Sequence, residues 1–172
     1  MAVERKGVVT SKGRPLTLVG AEIKVGDKAL NFSVLSQSLE KVDFAVSGGK
    51  IRLISVVPSL DTGICDAQTR RFNQESANLG DNVEIWTISV DLPTAQARWC
   101  GAVGIDKVKV YSDHRDLEFG LAYGVLIKEM RQLSRTIFVV DSDDTVKYVE
   151  YVKDIGLHPD YDRAIEAVKM LT

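Results

Sequence analysis

The chain has 172 residues, of which 45% are apolar, and its 22 basic and 24 acidic residues leave a net charge of −2. This length predicts one domain over residues 1–172, and the balanced charge gives no reason to expect nucleic acid or an anionic lipid surface as a partner. No apolar run approaches the roughly 18 residues of a membrane span, and the opening MAVERKGVVTSKG has no signal-peptide core, so a cytoplasmic protein is expected. In that compartment the two cysteines are expected to serve redox chemistry, or to be inert, rather than to form a permanent disulfide.

The N-terminal third is predicted to contain short extended segments. Residues 7–10 and 16–19 flank the turn-like Ser-Lys-Gly-Arg-Pro and predict a β-hairpin. A loop is expected over residues 21–29, and further extended segments over 31–35 and 41–45. These segments form a β extension ahead of the first long apolar run.

That run, KIRLISVV at residues 50–57, predicts a buried strand that ends at Pro58. A helix is predicted next, beginning near Thr62 or Gly63 and ending near residue 79. Its inward residues recur at helical spacing and are Cys65, Thr69, Phe72, Ser76 and Leu79. Cys65 then lies in the first turn, near free backbone N–H groups and the positive end of the helix dipole, which favours a thiolate.

A second strand and helix follow the same pattern. Residues 83–90, VEIWTISV, predict the strand, and Asp91 and Pro93 mark the start of a helix that runs to residue 102 or 103. This helix carries Trp99 and Cys100. The two cysteines are therefore expected on two successive helices.

The C-terminal part is predicted to mix strands and helices. The expected elements are a strand at 108–111, a short helix at 113–121, strands at 124–128 and 136–140 joined by 129–135, a turn at 142–144, a strand at 146–152 and an amphipathic helix at 160–171. Tyr161, Ile165, Val168 and either Leu171 or Met170 are expected to face the core from the last helix.

This order of elements predicts an α/β, thioredoxin-like fold with an N-terminal β-hairpin extension. Cys65 would lie at a strand-to-helix junction, at the edge of the sheet where α/β folds usually bind ligands. No C-x-x-C sequence is present, because Cys100 is the only other cysteine. A disulfide-shuffling thioredoxin is therefore a poor interpretation.

Several motifs resemble one family. Pro58, Thr62 and Cys65 form P-x-x-x-T-x-x-C, within VPSLDTGICDAQTRRF. Together with TISVDLPTAQARWC, SDHRDLEFGLAYGVLI and SRTIFVVD, this string resembles the thiol peroxidase subfamily of atypical two-cysteine peroxiredoxins. The resemblance spans nearly the whole chain, and its one visible departure is Gly63, where many relatives have proline.

The resemblance implies a peroxidase that uses no cofactor. Cys65 would attack a hydroperoxide and become a sulfenic acid, and Cys100 would resolve it as an intrachain disulfide that thioredoxin reduces. Arg135 is the implied active-site arginine, which cannot deprotonate and would stabilise the thiolate. The Thr62 hydroxyl would contact the peroxide, and Pro58 would shield the thiolate with an apolar wall. A homodimer and a preference for alkyl hydroperoxides over hydrogen peroxide are also implied.

Other functions remain possible from the residues alone. A non-enzymatic peroxide sensor or redox-regulated holdase could use the same cysteines. A Cys-His hydrolase would need His114 or His158 beside Cys65, although both lie in polar, loop-like contexts. The cysteines and histidines are too widely spaced to predict a metal site. Arg70 and Arg71 could steer anions, but surface ion pairing is expected for at least one of them.

Overall fold

The computed structural model describes residues 2–172 and contains eleven strands and four α-helices in that part of the chain. The strands are β1 Glu4–Ser11, β2 Arg14–Val19, β3 Ser33–Leu35, β4 Lys41–Asp43, β5 Ile51–Val56, β6 Val83–Ser89, β7 Lys109–Ser112, β8 Leu126–Ile127, β9 Gln132–Leu133, β10 Thr136–Val140 and β11 Val146–Tyr151. The helices are α1 Gly63–Glu75, α2 Pro93–Val103, α3 Glu118–Ala122 and α4 Tyr161–Lys169, with 3₁₀ turns at Phe44–Ser47 and Ser76–Asn78. No described helix has both the length and the apolar character needed to cross a membrane.

A seven-stranded sheet forms the centre, in the order β11-β10-β5-β6-β7-β3-β4. Strands β5, β6 and β7 are parallel neighbours, joined through α1 and α2, whereas β10 pairs antiparallel with both β5 and β11. This is the predicted thioredoxin-like α/β arrangement, which is confirmed. The carboxyl ends of β5 and β6 lie side by side, so α1 and α2 begin at the same edge of the sheet.

Each face of the sheet packs against an apolar core, because successive side chains of the central strands point to opposite faces. Leu53 of β5 faces the core that contains α1 and α4, whereas Ile54 faces the opposite core. The first core includes Cys65 and Cys100, and the second contains an aromatic cluster around Phe119 of α3. All six residues of β5 are buried, including the polar Arg52 and Ser55 that interrupt its apolar residues.

The predicted N-terminal hairpin is present, and it forms one half of a second sheet. β1 and β2 pair antiparallel, with a bulge at Gly7, whose φ of 76° suits a residue without a Cβ. β8 pairs with β2, and β9 pairs with β8. The segment 129–135, expected only as a connection, therefore contains a strand. β8 lies within the predicted strand 124–128, whereas the two residues of β9 carry no periodicity that a sequence pattern could reveal.

Two helices differ in detail from the prediction. The region predicted as helix 113–121 is helical only over α3, because Leu117 precedes it with a φ of 52°, which ends the helix on its N-terminal side. In α4, Asp160 caps the N-terminus by accepting a hydrogen bond from the backbone N–H of Arg163. Leu171 packs on the core and Met170 is 78% exposed, which decides between the two candidates for the last inward position.

Asp113 gives the fold a specific pH dependence. Burial raises the pKa of Asp113 to about 7, although its carboxylate accepts hydrogen bonds from the backbone N–H groups of Gly120 and Phe119. The folded protein thus holds this proton more tightly than the unfolded chain, whose reference pKa is 3.8. The resulting stabilisation is fully present below pH ~4 and is lost as the pH rises through ~7.

We therefore expect the free energy of unfolding to fall between pH ~5 and ~8, with Asp113 contributing at most about 3 kcal/mol to the fall. In Asp113→Asn that contribution should disappear, so the free energy of unfolding of wild type minus that of the variant should fall as the pH rises. Urea unfolding of both proteins at the two pH values measures this. A difference that stays constant with pH would contradict the proposed role of the buried carboxyl group.

Candidate active site

Cys65 lies at the junction between β5 and α1. The strand ends at Val56, the buried Pro58 follows two residues later, and Thr62 precedes the first helical residue. The backbone N–H of Asp66 donates to the Thr62 carbonyl at 2.9 Å, so Cys65 lies within the first turn. Its side chain is 0% exposed. The sulfur is thus held near the positive end of the α1 dipole and away from water.

The guanidinium of Arg135 contacts this sulfur with two nitrogens. Nη1 and Nη2 each lie 3.5 Å from Cys65 Sγ. Arg135 directly precedes β10, whose Thr136 pairs with Val56 at the end of β5, so the sheet register brings the arginine to the junction. Because Arg135 is only 2% exposed, its positive charge acts on Cys65 with little screening by water.

Three further contacts fix the guanidinium. Nη1 donates to Gln68 Oε1 at 2.9 Å, and Nη2 and Nε donate to the Ile155 carbonyl at 2.7 and 3.2 Å. Gln68 in turn donates to Ser55 Oγ at 2.7 Å and is fully buried. Gln68 is not among the residues predicted from the sequence. Helical spacing could have identified it, because Gln68 follows Cys65 by three residues and so lies on the same face of α1.

Tyr161 of α4 forms part of the surroundings. Its ring packs edge-on against Phe72 at 5.6 Å and lies 5.2 Å from the Arg71 guanidinium. Burial raises the pKa of Tyr161, while the charges of Arg135 and Arg71 lower it. Sequence periodicity identifies Tyr161 only as a core residue.

The remaining charged and titratable neighbours face elsewhere. His158 Nδ1 lies 2.7 Å from the Tyr161 hydroxyl, and no hydrogen bond within residues 2–172 joins either histidine to Cys65. Arg70 is ion-paired with Asp66. Arg71 is ion-paired with Glu75 and Asp162. A Cys-His arrangement for hydrolysis is therefore not formed in this structure.

Thr62 differs most from its expected position. Its side chain is exposed, and its hydroxyl donates to the Ser59 carbonyl at 3.0 Å rather than to Cys65. It also makes no side-chain cap on α1. The turn from Pro58 to Thr62 is held instead by Asp91, which contacts the side chain of Ser59. Thr62 is therefore close to Cys65 in sequence but is not part of the arginine–sulfur contact.

Cys100 occupies the last part of α2. It is 7% exposed, and burial raises the pKa of its thiol, partly offset by Gln37, whose Nε2 lies 3.5 Å from the sulfur. Its carbonyl accepts from the N–H groups of Gly104 and Ile105, which form the C-terminal cap of the helix. Cys65 and Cys100 pack in the same apolar core, and both thiols are free.

A buried cysteine at a helix N-terminus, paired with an arginine on a thioredoxin-like sheet, defines a redoxin-type thiol site. The Redoxin family matches residues 24–165. A thiol peroxidase from Halalkalibacterium halodurans is 60% identical over 161 residues, covering 94% of this chain and 96% of the relative. A thiol peroxidase from Bacillus subtilis is also 60% identical, over 95% of this chain and 97% of its own length.

Solved structures agree with these sequence relationships. A peroxiredoxin-like protein from Aquifex aeolicus is 37% identical, with a TM-score of 0.90 over 99% of both chains. A thiol peroxidase from Chromobacterium violaceum shares the fold, with a TM-score of 0.83 over 94% of this chain and 95% of its own, at 20% identity. The chain belongs to the thiol peroxidase family of peroxiredoxins. It is a thiol-dependent peroxidase.

Proposed function

We propose that Cys65 is the peroxide-reducing cysteine and that Arg135 stabilises its thiolate. The observation that carries this proposal is the contact of both terminal guanidinium nitrogens with the buried sulfur at 3.5 Å. A guanidinium does not lose its proton near neutral pH, so its charge is permanent. The first turn of α1 adds backbone N–H groups oriented toward the same region.

The first chemical step transfers one oxygen atom. The Cys65 thiolate attacks one peroxide oxygen, the O–O bond breaks, and the other oxygen leaves as an alkoxide or hydroxide that takes up a proton. Sulfur is oxidised to a sulfenic acid while the peroxide is reduced to an alcohol or water. Arg135 donors and a Thr62 hydroxyl turned toward Cys65 would stabilise the charge that develops on the leaving oxygen.

The second step is the attack of the Cys100 sulfur on the sulfenic sulfur. An S–S bond forms within the chain, the S–O bond breaks, and water leaves after protonation. Because Cys65 lies in the first turn of α1 and Cys100 in the last turn of α2, both helix ends would open to bring the Cα atoms within the ~7 Å limit of a disulfide. Helix termini open at low free-energy cost, and opening α2 would break the hydrogen bonds that the Gly104 and Ile105 N–H groups donate to the Cys100 carbonyl.

Thioredoxin, a dithiol protein, is the proposed reductant that returns both cysteines to thiols. The test is steady-state turnover with a hydroperoxide, thioredoxin, thioredoxin reductase and NADPH. We expect continuous NADPH consumption over many equivalents of peroxide. A protein that consumes about one equivalent and then stops would act as a sensor or holdase and would contradict this cycle.

Three further proposals accompany the cycle: residues 1–172 form one domain, the enzyme acts as a homodimer in the cytoplasm, and it prefers alkyl hydroperoxides. The single-domain proposal is supported by Tyr151, which packs against the central core and against the hairpin core.

The homodimer proposal predicts that sedimentation gives a species heavier than the 19.0 kDa chain. Catalytic efficiency should be higher with cumene hydroperoxide than with hydrogen peroxide, and the reverse order would contradict the substrate proposal.

Trp99 should report formation of the disulfide, because it neighbours Cys100 and is only partly buried in the same core. We expect a reversible change in tryptophan fluorescence when one equivalent of peroxide is added to the reduced protein. Cys100→Ser should lack the change, although Cys65 still oxidises. Trp86 is fully buried in the opposite core and should add a constant background. An equal change in the variant would show that fluorescence does not follow resolution.

A further inference from the structure

The carboxylate of Asp91 lies between the two segments that carry the cysteines. It accepts three hydrogen bonds, from Ser59 Oγ at 2.8 Å, from the Leu60 backbone N–H at 2.8 Å and from Ser89 Oγ at 2.7 Å. Ser59 and Leu60 belong to the turn before α1, whereas Asp91 itself follows β6 and precedes α2. A charged acceptor therefore joins the turn to the neighbouring strand end, with hydrogen bonds stronger than neutral ones.

Thr62 depends on this attachment through Ser59. The Thr62 hydroxyl donates to the Ser59 carbonyl at 3.0 Å, and the hydroxyl of Ser59 is the group that Asp91 holds. The backbone N–H of Leu60, one residue further on, is bound by the other carboxylate oxygen. Both oxygens of Asp91 thus fix the backbone from which Thr62 projects.

We infer that Asp91 is a positioning residue for peroxide reduction, acting through the Ser59–Leu60 turn on Thr62. This inference rests on the proposed roles of Cys65 and Thr62. Asp91 itself does not contact Cys65 in the structure. Its function is to fix the turn so that the Thr62 hydroxyl is within reach of the peroxide when it rotates away from the Ser59 carbonyl.

The attachment of α2 depends on the carboxylate only indirectly, through the Ser89 hydroxyl that donates to Asp91 and accepts from Gln96. Gln96, one helical turn before Cys100, donates to Ser89 Oγ at 3.0 Å and to the Tyr111 carbonyl at 2.7 Å. The Ser112 hydroxyl donates to the backbone carbonyl of Asp91 at 2.5 Å, a bond that any side chain at this position retains. Loss of the carboxylate should therefore affect the oxidation of Cys65 more than its resolution by Cys100.

Asp91→Asn tests whether the carboxylate acts on Cys65 oxidation rather than on resolution, since an amide keeps the shape of the side chain but replaces one acceptor oxygen with a donor group. Quenched-flow mass spectrometry distinguishes the sulfenic acid from the disulfide and measures both steps. We expect a roughly tenfold lower rate constant for oxidation of Cys65, with the rate of disulfide formation changed less than about twofold. Ser59→Ala removes one of the three donors to Asp91, together with the acceptor of the Asp61 backbone N–H, and should give a smaller fall in the same direction. Asp61→Asn is the matched control, because this neighbouring carboxylate is exposed and accepts no hydrogen bond from residues 2–172, and its rates should equal wild type.

A double-mutant cycle separates positioning from general destabilisation. If Asp91 acts through Thr62, the effect of Asp91→Asn should shrink to less than about twofold in a Thr62→Val background. The inference would be overturned if the effects of Asp91→Asn and Thr62→Val on the oxidation rate simply multiplied. It would also be overturned if Asp91→Asn slowed Cys65 oxidation and disulfide formation equally, or if it oxidised at the wild-type rate. Cys65→Ser distinguishes this failure from failure of the proposed function: turnover retained in Cys65→Ser would refute the peroxidatic assignment, whereas an inactive Cys65→Ser with a wild-type Asp91→Asn would refute only the role of Asp91.

Discussion

Replacing Cys65 with serine should abolish hydroperoxide turnover. A serine hydroxyl is a far weaker nucleophile than a thiolate and cannot form the sulfenic acid or the disulfide. The substitution is nearly isosteric, and the buried hydroxyl can accept a hydrogen bond from Arg135, so the fold should be retained. Peroxide consumption with thioredoxin, its reductase and NADPH measures the activity, and a thermal melt checks the fold.

Cys100→Ser is the matched control for this result. It removes the other buried thiol of the same core but leaves the proposed nucleophile, so it should still reduce about one equivalent of peroxide before stopping. A folded Cys65→Ser protein that keeps turning over would show that the reaction does not occur at Cys65. Loss of the first equivalent in Cys100→Ser would instead assign the nucleophile to Cys100.

Arg135→Ala should lower the rate of Cys65 oxidation by roughly 10²–10³-fold, the usual effect of removing a donor that stabilises developing charge. The substitution removes both nitrogens that touch the sulfur and leaves Gln68 Oε1 and the Ile155 carbonyl without this donor. Some destabilisation is therefore expected as well. The rate should be measured on protein that a melting curve shows to be folded.

Two variants separate the role of the guanidinium from loss of charge or of fold. Arg135→Lys keeps a positive charge but cannot make the paired contacts, so an intermediate rate is expected. Arg70→Ala removes an exposed charge from α1 that, within residues 2–172, pairs only with Asp66. The Cys65 of this variant should be oxidised at the wild-type rate. A wild-type rate in folded Arg135→Ala would refute the proposed stabilisation of the thiolate.

The central β-α-β-α segment was predictable because its elements are long and strongly periodic. Strand β5 and helix α1 differ from their predicted bounds by a few residues only. The position of Cys65 in the first helical turn followed from that pattern alone. By contrast, β8 and β9 have two residues each, and the pairing of β8 with β2 of the N-terminal hairpin depends on contacts distant in sequence.

The contacts within the site were harder to predict from short-range sequence patterns. Arg135 and Cys65 are 70 residues apart, and only the family resemblance suggested that they meet. Gln68 could have been found from its helical spacing, but nothing local indicated that it would bind the arginine. The role expected for Thr62 toward the peroxide stays a prediction, because in this structure its hydroxyl donates to the nearer Ser59 carbonyl.

The most direct test of the proposed cycle is the mass of the reduced protein after one equivalent of hydroperoxide, followed by peptide mapping without reductant. We predict a monomeric chain that is two hydrogen atoms lighter, with the peptides that contain Cys65 and Cys100 joined to each other. Oxidation that joins two chains through these cysteines, or that leaves Cys65 as a thiol, would contradict the proposed cycle.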